Sequence, residues 1–231
     1  PLHAAFDEAC RSAERRGLRV TGSELVGLVP LEAMLDAGRH FLRKQQRSTG
    51  VPDRELIRIA VQTMGLSEVA PFDPEKKIVE YALRRPGKRL VDLTLERFAE
   101  ETASESVAPG GGSVAAAVGA LGAALGTMVA NLSSHKRGWD ERWEEFSGWA
   151  EKGKAAYAEL LALVDKDTDA FNAIVAARRM PKATDAEAKA RTEAIEAATR
   201  GAIEVPLRVM EVGLGSMDLL RAMGEKGNPN S

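Results

Sequence analysis

A mainly α-helical chain with a small α/β piece at its front is the fold this sequence predicts. Three observations carry that reading. Apolar residues recur at helical spacing in almost every segment after Asp92. The stretch from Val107 to Ser134 carries no charge and is mostly Ala, Gly, Val and Leu, behind a Pro-Gly-Gly-Gly-Ser turn at Pro109 to Ser113. Only one segment, Leu18 to Val29, reads as a strand. A lone strand cannot satisfy its backbone or bury both faces, so its partners are expected in chain preceding Pro1. The start at Pro1 without an initiator Met, and the closing loop Gly227 to Ser231, also read as a piece of a longer polypeptide.

Each element has a local reason. Residues 2–16 form an amphipathic helix with Phe6, Ala9 and Ala13 on one side. The strand follows and contains Gly22 and Gly27. Pro30 opens a helix whose apolar side holds Leu31, Met34, Leu35, Ala37 and Phe41. Gln45 to Pro52 is a polar loop, and residues 53–64 form a helix stopped by Gly65. Asp73-Pro74 supplies a cap and a first-turn proline for a helix to about Leu83. Arg84-Arg-Pro-Gly-Lys-Arg89 is a charged linker. Helices then cover Asp92 to Ser104, Ser113 to Ser134, Gly148 to Arg179, Asp185 to Val205 and Pro206 to Met223, with a Trp-containing segment at Trp139 to Phe146. The expected division is residues 1–85, a linker at 86–91, and a helical domain at 92–231.

Composition narrows the function classes. The 231 residues suffice for one large domain or two small ones. A net charge of −2, with no Lys/Arg run interleaved with aromatics, argues against nucleic acid as a partner. Cys10 is alone, which excludes a disulfide framework and fits a cytoplasmic compartment. His3, His40 and His135 lack metal-ligand spacing, so no metal is expected. No signal peptide is visible at the start. Val114 to Leu132 is long enough to span a membrane, but its Ala and Gly content favours a buried helix over a span. Ala116, Gly119, Ala123, Gly126 and Ala130 make a small-residue stripe along it, suited to close helix packing.

Four features have chemical potential. The glycines Gly110, Gly111 and Gly112 ahead of Ser113 expose backbone N–H groups at a helix N-terminus, where an anion can bind. A sharp helix start capped by Ser113 is the competing reading. On the long helix, Tyr157, Leu160, Val164, Phe171, Ile174 and Val175 form one stripe. At about 100° per residue Asp167 falls inside that stripe, whereas Asp165 and Asp169 fall outside it. An inward carboxylate must be paired, protonated or placed at a wet cleft, and a structural Asp held by an Arg or a backbone N–H stays open. Lys182, at a helix break, and Arg191, on the next helix, are surface charges or cations for substrate carboxylates. His135 reads as a surface residue, with Lys136 and Arg137 placed for the helix dipole.

The run Ser106-Val-Ala-Pro-Gly-Gly-Gly-Ser-Val-Ala-Ala-Ala117 resembles the start of the cyclodeaminase family. The likeness continues through Leu163-Val-Asp-Lys-Asp-Thr-Asp-Ala-Phe171, Arg179-Met-Pro-Lys182, Val205-Pro-Leu207 and Gly227-Asn228. Upstream, Gly22-Ser-Glu-Leu-Val-Gly-Leu-Val-Pro-Leu31, Pro71-Phe-Asp-Pro74 and Ile78-Val-Glu-Tyr81 resemble the end of the formimidoyltransferase domain. Both pieces in this order resemble the bifunctional formimidoyltransferase–cyclodeaminase family of histidine breakdown and one-carbon metabolism.

The resemblance implies an incomplete α/β transferase piece followed by a helical-bundle cyclodeaminase domain lacking its last stretch. It implies conversion of 5-formimidoyltetrahydrofolate to 5,10-methenyltetrahydrofolate and ammonia, with Asp167 at the family's catalytic aspartate and assigned to proton transfer. The turn Pro109, Gly110, Gly111, Gly112 and Ser113 would hold the pterin or a carboxylate, and Lys182 and Arg191 the glutamate tail of a polyglutamylated folate. The family's transferase histidine has no counterpart among the three here. No cofactor beyond the tetrahydrofolate carrier is implied, and the partner is a second copy in a homodimer or higher homo-oligomer. The alternatives are glutamate formimidoyltransferase activity of a longer protein, and a non-catalytic folate-binding and dimerisation module.

Overall fold

The computed structural model describes residues 1–84, 87 and 89–231. Arg85, at the end of the expected first domain, and Pro86 and Lys88, in the expected linker, lie outside the described residues. The chain forms two compact units, one of residues 1–86, 129–151 and 230–231, the other of residues 87–128 and 152–229. Nine α-helices and two short 3-10 turns make up the regular structure among the described residues, which hold no named strand.

The first unit contains α1 (Leu2–Glu14), α2 (Leu31–Lys44), α3 (Asp53–Met64), α4 (Pro74–Lys77) and α5 (Val79–Ala82). Its core is built on Met34, Ala37, Leu56, Ala60, Met64 and Ile78, all buried. Gly65, at φ 61°, ends α3 in the left-handed conformation that glycine adopts without strain. Asp73 caps α4, its carboxylate accepting from the Glu75 N–H at 3.1 Å.

Two expectations fail here for one reason. The segment from Leu18 to Leu28 forms no strand, and the helix expected from Pro74 to Leu83 breaks at Ile78. Ile78 is extended (φ −91°, ψ 124°) and pairs with Val29 in a single parallel bridge. The Val29 N–H donates to the Lys77 carbonyl at 2.9 Å and the Val79 N–H to the Val29 carbonyl at 3.0 Å. Both side chains are buried, so the apolar gain favours the bridge over a continuous helix. Leu18, Val26 and Leu28 find no such partner and stay exposed.

The end of α7 (Gly111–Ser134) and the start of α8 (Trp143–Arg178) also belong to this unit. The loop ahead of α3 packs on them through buried hydroxyls. The Thr49 N–H donates to Ser147 Oγ at 3.0 Å, Thr49 Oγ1 donates to Glu151, and Asn131 Nδ2 donates to the Gly50 carbonyl at 3.3 Å.

The second unit holds α6 (Leu95–Ala103), the rest of α7 and α8, and most of α9 (Asp185–Lys226). Thr94 caps α6. Thr184 and Glu187 form a capping box on α9. Helices α7 and α8 run antiparallel, with Gly112 against Asp167, Gly119 against Leu160 and Thr127 against Gly153. The small-residue stripe is what the core uses. Ala116, Ala120 and Ala123 are buried with Leu160, Leu163, Val164, Val209 and Val212, and Gly126 packs on Leu219 and Leu220. By length and composition α7 could cross a membrane. Its larger residues face out: Val118, Leu121, Leu125 and Met128 are exposed, as are Ile203, Leu207, Met210, Leu214 and Met217 on α9.

Two helix boundaries differ from expectation. Helix α8 begins at Trp143, following the 3-10 turn Asp140–Arg142, so Gly148 lies inside it. Helix α9 is continuous through Pro206, where a break is expected. Proline removes one intrahelical hydrogen bond, and the buried Val209 and Val212 just beyond hold the next turns in place. Pro206→Ala is therefore expected to stabilise the protein by about 1–3 kcal/mol, read from chemical denaturation. Unchanged or lower stability would show that the flanking packing needs the proline.

Candidate active site

The site is assembled from the loop before α7 and the inner face of α8. Residues 107–110 lead into α7 through a cis Ala108–Pro109 peptide bond, and the helix starts at Gly111. The first turn of a helix has N–H groups with no intrahelical partner. Asp167 supplies one. Its Oδ2 accepts from the Ser113 N–H at 2.8 Å and from Ser113 Oγ at 3.1 Å. Both of these hydrogen bonds land on Oδ2, leaving Oδ1 without one among the described residues. A carboxylate at this end of a 24-residue helix also meets the positive end of its dipole.

Gly112 makes the approach possible. A methyl group added there would lie 2.2 Å from Asp167 Oδ1 and 2.6 Å from its Cγ. The carboxylate thus rests directly against the helix backbone, where any side chain would displace it. Ser113 is fully buried and makes two further contacts: its Oγ lies 2.8 Å from the Val164 carbonyl and 3.4 Å from Thr168 Oγ1.

A cavity of about 250 Å³ opens at this junction. The loop and first turn contribute Val107, Ala108, Gly110, Gly111 and Gly112. From α8 come Asp167, Thr168 and Phe171, and from α9 comes Ala202. The walls combine bare backbone, one carboxylate, one hydroxyl and one aromatic ring. Such a site can seat a planar group against Phe171 and exchange protons with it through Asp167. Pro206 lacks the N–H that would pair with the Ala202 carbonyl in a regular helix.

The structure brings only part of the expected set together. Asp167 and the three glycines line one cavity, and Pro109 and Ser113 are buried just behind it. Lys182 is exposed and lies outside the lining. Arg191 also lies outside it: its guanidinium donates to the Arg178 carbonyl at 3.2 and 3.1 Å and so closes the end of α8. Asp169 is exposed as expected. Asp165 is half-buried instead, accepting from the Leu90 N–H at 2.6 Å. Packing around the imidazole, and then the Arg47 guanidinium, hold His135 below the usual histidine range.

Val107, Ala108, Thr168, Phe171 and Ala202 are the lining residues that sequence reasoning misses. Phe171 reads as core because it shares the stripe with Leu160 and Val164, yet it is 42% exposed. The available signal is its place one turn past Asp167, on the same face. Among the described residues no group of three His, Cys, Asp or Glu side chains is placed to hold a metal ion.

Comparison with known proteins accounts for almost the whole length. Residues 1–84 match the family model described as formiminotransferase domain, and residues 94–231 match the one described as formiminotransferase-cyclodeaminase. The formimidoyltransferase-cyclodeaminase of Rattus norvegicus is 40% identical over 229 residues, 98% of this chain and 42% of the relative. That of Dictyostelium discoideum is 33% identical over 249 residues, with the same two shares, 98% and 42%. The chain thus spans 42% of the length of these curated relatives. The methenyltetrahydrofolate cyclohydrolase of Methylorubrum extorquens is 38% identical over 137 residues, 59% of this chain and 66% of that one. The crystal structure of formiminotetrahydrofolate cyclodeaminase from Thermotoga maritima aligns with a TM-score of 0.51 and 30% identity, over 60% of this chain and 65% of that one. With its helical part matched over more than half the chain, the protein belongs to the formiminotransferase-cyclodeaminase family.

Proposed function

We propose that this protein cyclises 5-formimidoyltetrahydrofolate to 5,10-methenyltetrahydrofolate with loss of ammonia. The observation that carries the proposal is the Asp167 carboxylate in the cavity wall, tied down through one oxygen and, among the described residues, without a hydrogen bond at the other. N10 attacks the formimidoyl carbon, so a proton must leave N10. The resulting diamine expels ammonia only when its amino nitrogen gains a proton. A fixed carboxylate serves both transfers, and its charge stabilises the cationic amidine and methenyl species. The chemistry needs no cofactor beyond the tetrahydrofolate that carries the substrate.

The glycine turn holds the pterin or a carboxylate of the folate. Lys182, and Arg191 through N–H groups not spent on the Arg178 carbonyl, meet a polyglutamate tail. Residues 1–85 are read as an incomplete α/β transferase piece. The exposed Leu18, Val26 and Leu28 support this, since they lie in a segment suited to sheet pairing. Residues 86–91 are the linker and residues 92–231 the cyclodeaminase domain. This is cytoplasmic chemistry in histidine degradation and one-carbon metabolism. Glutamate formimidoyltransferase activity is proposed for the longer protein only.

The 38% identical cyclohydrolase favours a second reading, in which water attacks the carbon of a methenyl substrate. Ammonia release separates the two: the cyclodeaminase produces ammonia stoichiometrically with the methenyl product, and a cyclohydrolase releases none.

We also propose a homodimer, supported by the bare apolar stripes of α7 and α9. Stable interfaces bury roughly 1,200–2,000 Å² in total, and stripes of this length supply apolar area at the centre of such a patch. Sedimentation of the intact protein should give a dimer, and Leu121→Glu combined with Leu214→Glu should give folded monomer. A monomeric wild type, or a double variant that stays dimeric, would remove this proposal.

Two substitutions test the site itself. Asp167→Asn keeps an oxygen to accept the Ser113 N–H but cannot carry the proton. Its turnover to the methenyl product should fall at least about 100-fold with the fold intact; near-normal turnover would sink the role of Asp167. Gly112→Ala leaves Asp167 in the chain but pushes its carboxylate off the helix. It should lose activity comparably and cost about 1–3 kcal/mol of stability, measured by turnover and denaturation together.

A further inference from the structure

The cavity offers one ionisable side chain, Asp167, and the proposed reaction has it serve protons at two different nitrogens. What surrounds Asp167 supplies a route for them. Thr168 lines the cavity, and its Oγ1 lies 3.4 Å from Ser113 Oγ. Ser113 is fully buried, and its Oγ lies 3.1 Å from Asp167 Oδ2. The three polar groups form a line from the cavity to the oxygen that is tied down.

Ser113 has one hydroxyl hydrogen and three acceptors within reach, Asp167 Oδ2, the Val164 carbonyl at 2.8 Å and Thr168 Oγ1 at 3.4 Å. With Asp167 ionised, that hydrogen points to Oδ2. With Asp167 protonated on Oδ2, the carboxyl donates to Ser113 Oγ, whose own hydrogen turns to the Val164 carbonyl or to Thr168 Oγ1, the acceptor that a return transfer uses. The buried hydroxyl is therefore satisfied in both protonation states, and an unsatisfied one would be costly.

We infer that Thr168 and Ser113 form a hydroxyl relay that carries substrate protons to and from Asp167 Oδ2. The inference rests on the cyclodeaminase reading above. The substrate enters as the amidinium, and attack of N10 on its carbon places a positive charge and a proton on N10. Thr168 Oγ1 takes that proton as its own hydrogen passes to Ser113 Oγ and the Ser113 hydrogen passes to Oδ2. Asp167 is then neutral, and the diamine is neutral. The relay next runs in reverse. Oδ2 returns the proton to Ser113, Ser113 to Thr168, and Thr168 to the amino nitrogen. The carbon–nitrogen bond breaks with its electron pair going to nitrogen, ammonia leaves, and the methenyl cation faces a restored carboxylate. One positive charge enters on the amidinium and one leaves on the methenyl group. Both nitrogens are bonded to the same carbon, so one hydroxyl reaches each in turn.

The test is turnover of 5-formimidoyltetrahydrofolate by the full chain in mixtures of light and heavy water. The wild type should show a curved proton inventory, as several protons move in one step. Thr168→Val keeps the shape and removes the hydroxyl. It should lower kcat about 10- to 100-fold with KM within about twofold, leave the melting temperature unchanged and straighten the inventory. Thr168→Ser should recover most of the turnover and the curvature, and Ser113→Ala should resemble Thr168→Val. Wild-type kcat and an unchanged inventory in Thr168→Val would overturn the relay and leave the cyclodeaminase reading standing. Absence of methenyl product from the wild-type protein would overturn both.

Discussion

The seat of Asp167 on the first turn of α7 is the contact on which the rest of the second unit depends. It fastens the start of α7 to the middle of α8, satisfies an orphan N–H, and sets the floor of the cavity. A carboxylate at a helix N-terminus is worth about 0.3–1 kcal/mol when exposed and up to about 2 kcal/mol when partly buried. That is enough to hold a side chain in one rotamer, and modest against the total stability of a domain. The same bonds that fix Oδ2 keep Oδ1 free of partners. Structural capping and readiness for chemistry therefore coexist in one residue, whose Oδ2 accepts both from the helix N–H and from the Ser113 hydroxyl.

The helices around this contact are organised by size as much as by polarity. Ala116, Ala120, Ala123 and Gly126 face inward and let α8 and α9 come close to α7. Burying an alanine gains little area, so the large neighbours Leu160, Leu163 and Leu219 supply most of the apolar burial at these crossings. The bulky residues of α7 itself are on the other side, exposed. A helix with small residues inside and large ones outside leaves its bulky face for the second copy in the proposed homodimer.

Much of this arrangement was legible in the sequence where helical periodicity applies. The 100° rule places Asp167 among inward residues because α8 is regular from Trp143 to Arg178. The glycine run marks the turn, and its last member, Gly112, is the one whose missing side chain admits the carboxylate that lies there. The errors fall where a local rule competes with tertiary packing. Pro206 reads as a break, but neighbouring buried turns keep α9 whole. Leu18 to Val29 has the composition of a strand, yet pairing needs a partner, and Ile78 supplies one only to Val29. Arg191 reads as a free cation, since the carbonyl it closes on, at Arg178, is 13 residues away across a turn. Thr168 gives no signal at all: an isolated threonine beside an aspartate has many structural roles, and its line to Ser113 exists only once two helices meet.

The wall made of Gly110, Gly111 and Gly112 has a consequence for how this cavity changes over generations. Backbone offers natural selection no side chain to exchange, and any side chain at the last of these positions collides with Asp167. Drift in what the cavity accepts is channelled to the opposite wall, chiefly to Thr168, Phe171 and Ala202. Divergence of leaving group among descendants of this fold should be written at those three codons, with Gly112 inherited unaltered.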